Sequence, residues 1–105
     1  MTFWDLASIE LEAFRPGIMS KAELGETFIM TCMEIGAGLE DTGHIHPFDQ
    51  CGIVLQGEIE MFIGEERKRL YSNQVYFIPA GESHGWKTFE EAVRVLDISL
   101  KPQLK

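Results

Sequence analysis

The sequence predicts an all-β fold, an antiparallel sandwich or barrel of about ten short strands. Three observations carry that expectation. Apolar or alternating runs of strand length recur along most of the chain, each bounded by Gly, Pro, Asn or paired acidic residues. No stretch shows a convincing helical period. No internal repeat, linker or low-complexity segment divides the chain, so residues 1–105 make one domain.

Taken in order, residues 4–14 are ambiguous, because Leu6, Ile9 and Ala13 have a weak helical spacing while Ile9 to Glu12 alternates. They read as a loosely held strand or coil, which Arg15-Pro16-Gly17 ends in a turn. Ile18 to Leu24 and Thr27 to Ile35 read as two strands. The second is apolar on both faces, as in a barrel wall that also meets a partner subunit. From Cys51 to Leu55 the chain is apolar again, and Gly57 marks a bulge or bend before Ile59, Met61 and Ile63 alternate with polar residues. Gly64-Glu65 suits a two-residue hairpin turn, after which Arg67-Lys68-Arg69 reads as a solvated returning strand. Val75 to Ile78 is a short buried strand that stops at Pro79. His84 opens the next strand, and Val93 to Leu100 is a long apolar one carrying Arg94 and Asp97.

Nine basic against seventeen acidic residues leave a net charge of −8, with no basic stripe to offset it. Such a chain repels phosphate backbones and anionic bilayers, so neither nucleic acid nor membrane is an expected partner. Cys32 and Cys51 are too few and too far apart for a disulfide framework or a paired-cysteine zinc motif, and both fit buried free thiols. No leader pattern opens the chain and no apolar run approaches the ~20 residues that span a bilayer, which makes the cytoplasm the expected location.

The chemistry concentrates in Gly43-His44-Ile45-His46-Pro47-Phe48-Asp49-Gln50 and in Pro79-Ala80-Gly81-Glu82-Ser83-His84, which hold all three histidines. Side chains at i and i+2 of a strand leave the same face, so His44 and His46 can aim at one point. Gln50 has the same parity, although a bend near Pro47 can break that phase. Three imidazoles and a carboxamide oxygen are the ligand set of a divalent first-row metal with positions left open for substrate. His44, His46, Gln50 and His84 are therefore the expected metal ligands. Such a set suits Zn, Ni, Mn or Fe alike and does not choose among them.

The run Gly38…His44-Ile45-His46…Gln50…Gly57 resembles the first cupin motif, Gly-x5-His-x-His-x3,4-Glu-x6-Gly, over residues 38–57. The run from Asn73 through Pro79-Ala80-Gly81-Glu82-Ser83-His84 to Thr88 resembles the second, over residues 73–88. The resemblance implies a cupin jelly-roll barrel with one metal inside. Gln50 stands where most cupins carry glutamate, Asn73 replaces a leading glycine, and Thr88 a closing asparagine. Asn tolerates the left-handed backbone much as glycine does. An amide in place of a carboxylate leaves a bound divalent ion at +2 rather than +1, a stronger Lewis acid held less tightly.

More narrowly, the His-x-His-Pro-x-x-Gln form is similar to the small cupins that linearise 4,5-unsaturated uronates. In those proteins an aspartate on the last strand moves protons, beside an aromatic residue and an arginine. That similarity implies the proton-transfer role for Asp97, while Ser99 and Gln103 stand where the companions would be. A carboxylate in an apolar strand is costly unless paired or given a task. If it shares an inward face with Val93 and Val95, Asp97 can serve as general acid or base; the bland alternative is a salt bridge to Arg15. Arg94 has the opposite parity and lies outside with Leu96, Ile98 and Leu100, an apolar stripe that predicts a homodimer. Tyr76, Phe77, Trp86 and Phe48 read as core; Phe48 and Trp86 flank ligand positions, so one of them could line the pocket mouth. The resulting expectation is metal-assisted isomerisation, tautomerisation or ring opening of a small sugar acid. An iron dioxygenase and a non-catalytic ligand-binding module are the alternatives.

Overall fold

The computed structural model describes residues 1–101, so Gln103 lies outside the described residues. Ten strands follow in order: β1 (Glu12–Arg15), β2 (Ile18–Leu24), β3 (Phe28–Ile35), β4 (Glu40–His44), β5 (Gln50–Gln56), β6 (Ile59–Ile63), β7 (Glu66–Leu70), β8 (Val75–Ile78), β9 (His84–Thr88) and β10 (Val93–Leu100). All pairings are antiparallel. One sheet has six strands in the order β1-β2-β3-β10-β5-β8, the other four in the order β4-β9-β6-β7. Among the described residues there is no helix, and hence none long and apolar enough to cross a membrane. The ambiguous opening stretch resolves into coil followed by the short β1.

From β3 onward the chain passes repeatedly between the sheets, which wraps them around a shared interior. Ile18, Ile35, Val54, Val93 and Val95 from the larger sheet meet Ile59 and Met61 from the smaller one in a single buried cluster. The alternation seen in the sequence sets these faces. On β10, Val93, Val95 and Asp97 stand opposite Ile35, Met33 and Thr31 of β3, all turned inward. At Asn73 the backbone has φ 72°, the left-handed conformation expected of a residue that takes a glycine's place. Ile63 pairs with Glu66, so Gly64 and Glu65 form a two-residue hairpin turn. The charged run on β7 is exposed, as expected. Arg67 bonds Glu60 at 2.8 Å across the strand pair, and Arg69 lies over the Phe89 ring at 4.1 Å.

Arg94 lies on the outer face of the larger sheet, where the N-terminal segment reaches across. Its guanidinium donates to the Leu6 carbonyl and to Glu34, both at 3.2 Å, while the Thr2 hydroxyl donates to Glu23 at 2.7 Å. On that same face Cys32, paired with Leu96, is fully buried, whereas Cys51 is only half-buried, less than its apolar flanks suggest. Phe28, Val75, Phe77 and Leu100 stay exposed on this face. Ile59 is 1% exposed at the centre of the core, so Ile59→Ala removes well-packed methyl groups. It is expected to cost about 2–5 kcal/mol in a urea titration, moving the midpoint and leaving the slope unchanged.

Candidate metal centre

The three imidazoles converge at the end of the barrel where β4 and β9 pair. His44 closes β4 and lies directly opposite His84, the first residue of β9. Their ring centroids are 4.3 Å apart. His46 lies just past the strand end rather than within it, yet its ring comes within 4.5 Å of His44 and 5.2 Å of His84. One nitrogen from each ring lies within 4.8 Å of the other two. A register shift in β4 between Asp41 and His44 helps bring the side chains together. The loop after β4 is tied to the turn before β9, since Gly81 donates to the His46 carbonyl at 2.8 Å and the Ala80 amide to Asp49 at 2.9 Å.

Acceptor-only partners fix the tautomers. His44 Nδ1 lies 3.0 Å from the Asp41 carboxylate, and His84 Nδ1 lies 3.0 Å from the Glu82 carbonyl oxygen. Each Nδ1 must therefore carry the proton, which leaves both Nε2 lone pairs free. Burial would raise the Asp41 carboxyl, but the Gly43 amide, the His44 ring and the Arg15 charge together hold it below its usual range. His46 stacks against Phe48 at 4.7 Å with planes 10° apart. Burial, with the His44 and His84 rings nearby, lowers the His46 pKa and keeps the ring neutral.

Gln50 arrives from the other sheet, as the first residue of β5. Its Nε2 donates to Asp97 Oδ2 at 2.9 Å, which assigns the amide orientation because a carboxylate only accepts. The opposite end, Oε1, is buried without a hydrogen-bond partner, and so is His84 Nε2. Leaving such groups unmet costs roughly 1–3 kcal/mol each. Three clustered imidazole nitrogens, with an unmet amide oxygen in the cavity that two of the rings line, are donors of the kind a divalent cation takes, and these are the residues that could hold one.

Asp97 is 7% exposed and faces inward, and among the described residues it makes no ion pair with Arg15 or another base. It accepts a second hydrogen bond, 2.5 Å long, from the Tyr76 hydroxyl, again on Oδ2. Burial pushes the Asp97 carboxyl above its ordinary range, against the pull of Tyr76, Gln50 and the nearby rings of His84 and His46. Burial and the Asp97 charge drive Tyr76 well above its own usual pKa, so it stays a donor. Gly52 makes room for this pair, for a Cβ there would collide with the Tyr76 hydroxyl.

His44, His84, Gln50, Tyr76 and Asp97 line a cavity of about 130 Å³ whose other walls include Met33, Met61 and Trp86. Trp86 thus reaches the pocket, while Phe48 serves instead as a platform for His46. Sequence reasoning missed three residues here. Tyr76 is core as read, but its hydroxyl bond to Asp97 is not foreseen; Asp41 goes unremarked three residues before His44; and Arg15 reads only as a turn residue or a partner of Asp97.

Residues 31–99 match the family model described as a cupin domain. Among solved structures, the chain is similar to KdgF from a Halomonas species, with a TM-score of 0.85 and 25% identity over 98% of this chain and 96% of that one. The cupin domain of Schizosaccharomyces pombe Cnp3 aligns with a TM-score of 0.82 at 22% identity, covering 95% of this chain and 74% of that one. The polyketide cyclase RemF from Streptomyces resistomycificus aligns with a TM-score of 0.80 at 19% identity, over 95% and 79%. These last two likenesses speak for the fold. No curated protein sequence matches the chain. The two-sheet antiparallel architecture, the motif spacing and a model match across most of the chain agree, and the protein belongs to the cupin family.

Proposed function

We propose that the protein is a metal-dependent enzyme acting on a small oxygen-rich metabolite, a sugar acid whose ring it opens, isomerises or tautomerises. His44, His46, Gln50 and His84 hold the ion, and Asp97 handles the proton. One observation carries the reading: Gln50 leaves its buried oxygen unmet while its nitrogen grips Asp97, which joins the ligand set to the acid–base group. A bound divalent ion would act as a Lewis acid toward a carbonyl, carboxylate or hydroxyl of the substrate. The motif similarity to uronate-linearising cupins and the likeness to KdgF along nearly its whole length support the same substrate class.

The chain's own part follows from the hydrogen bonds. Gln50 and Tyr76 both occupy Oδ2 of Asp97, so neither blocks Oδ1 as a proton acceptor. Together they fix the carboxylate plane, which spares the reaction the entropy of orienting it. Burial keeps Asp97 more basic than a solvated carboxylate, closer to the range that suits proton exchange at neutral pH. Trp86, Met33 and Met61 give the cavity apolar walls that limit water at the reacting atoms.

Metal-reconstituted protein should carry about one ion per chain by elemental analysis, and His46→Ala should lose it. With 4,5-unsaturated galacturonate, loss of ultraviolet absorbance should be faster than with chelator-treated protein; no acceleration removes that substrate. Asp97→Asn should lower the rate by roughly 10²–10⁴-fold with the ion retained. The apolar outer face extends the proposal to a homodimer, because Phe28, Val75, Phe77 and Leu100 are exposed together on one sheet. Light scattering should then give a dimeric mass that Phe77→Glu converts to monomer.

A further inference from the structure

A cation stands at the mouth of the cavity in a place that its sequence parity does not predict. Arg15 ends β1, and the β1–β2 pairing is irregular there. Ala13 pairs with Met19, but Arg15 pairs with Ile18, so the register slips by one residue at Phe14. Cross-strand partners share a face. Ala13 therefore lies with Met19 on the outside, while Arg15 lies with the buried Ile18 on the inside. Without the bulge, Arg15 would point away from the cavity. Re-aiming a side chain is what such bulges do beside functional sites.

The hairpin that presents Arg15 is anchored. Pro16 and Gly17 make its turn, with Gly17 at φ 81°, and the Gly17 carbonyl accepts from the Gly36 amide at 2.8 Å. Among the described residues Arg15 forms no ion pair; its guanidinium lies 5.7 Å from the centre of the Phe14 ring. Among the described residues Arg15 is the one Lys or Arg lining the cavity, where it joins His44, Trp86 and Asp97. The cavity otherwise presents Asp41 and Asp97, in a chain of net charge −8, so an anionic ligand meets repulsion everywhere except at the metal ligands and at Arg15.

We infer that Arg15 is a specificity residue that binds the carboxylate of the substrate at the cavity mouth. The inference rests on the reading of this cavity as a sugar-acid site and adds the group that distinguishes an acid from a neutral sugar. A guanidinium presents its N–H groups in a fixed fork that matches a carboxylate. Here the fork comes from the N-terminal hairpin rather than from the last strand.

Calorimetric titration of the metal-reconstituted protein with galacturonate and with galactose, which lacks the carboxylate, tests this directly. Wild type should bind galacturonate more tightly than galactose. Arg15→Gln should weaken galacturonate by roughly 10–100-fold and leave galactose and metal content unchanged, with Arg15→Lys recovering part of the loss. If Arg15→Gln keeps the full preference for galacturonate, another group reads the carboxylate and the assignment is overturned while the sugar-acid reading stands. If wild type binds neither sugar, or does not prefer the acid, the assignment is overturned together with the substrate class it rests on.

Discussion

Three imidazole rings share a few ångströms of barrel interior, and Gln50, which lines the same cavity as His44 and His84, brings an amide oxygen without a hydrogen-bond partner. Two of the rings have their Nδ1 protons committed to Asp41 and to the Glu82 carbonyl. That commitment leaves lone pairs, not N–H groups, turned toward one another, and His84 Nε2 and Gln50 Oε1 are buried with nothing to bond. Opposed lone pairs repel, and a divalent cation is a partner that would meet them together.

Both sheets contribute to this arrangement, which makes it a property of the fold rather than of a local loop. The imidazoles come from β4, its exit loop and β9 in the smaller sheet, while Gln50 and Asp97 come from β5 and β10 in the larger one. Closing the barrel over the core of Val54, Ile59 and Val95 therefore also assembles the site. The same closure buries Asp97, where Gln50 and Tyr76 compensate its charge on a single oxygen. Stability and chemistry draw here on the same contacts, so a change at Gly52 would reach both through Tyr76.

Much of this was legible in the sequence because period-two alternation and ligand spacing are local signals. His44 and His46 two apart, Pro79 and Gly81 before His84, and the alternation of Val93, Val95 and Asp97 each survive folding as read. What escaped depends on pairing. Arg15 has the parity of an outward residue until the slip at Phe14 reverses it, and a bulge leaves no mark in composition. Tyr76 looks like any aromatic in a buried strand until Gly52 on the neighbouring strand opens a slot for its hydroxyl. The outer face of β10 likewise reads only as a dimer surface, because the sequence does not say that the first residues fold back to meet Arg94.

The whole account turns on the imidazoles sharing one ion with Gln50. X-ray absorption at the metal edge of reconstituted protein tests that most directly, because imidazole rings give a distinctive multiple-scattering pattern and their number can be fitted. The account predicts a shell of nitrogen and oxygen atoms at about 2.0–2.2 Å that includes the rings of His44, His46 and His84, with one ring lost in His84→Ala. An ion bound only by carboxylates and water, or a spectrum unchanged by that substitution, would contradict it.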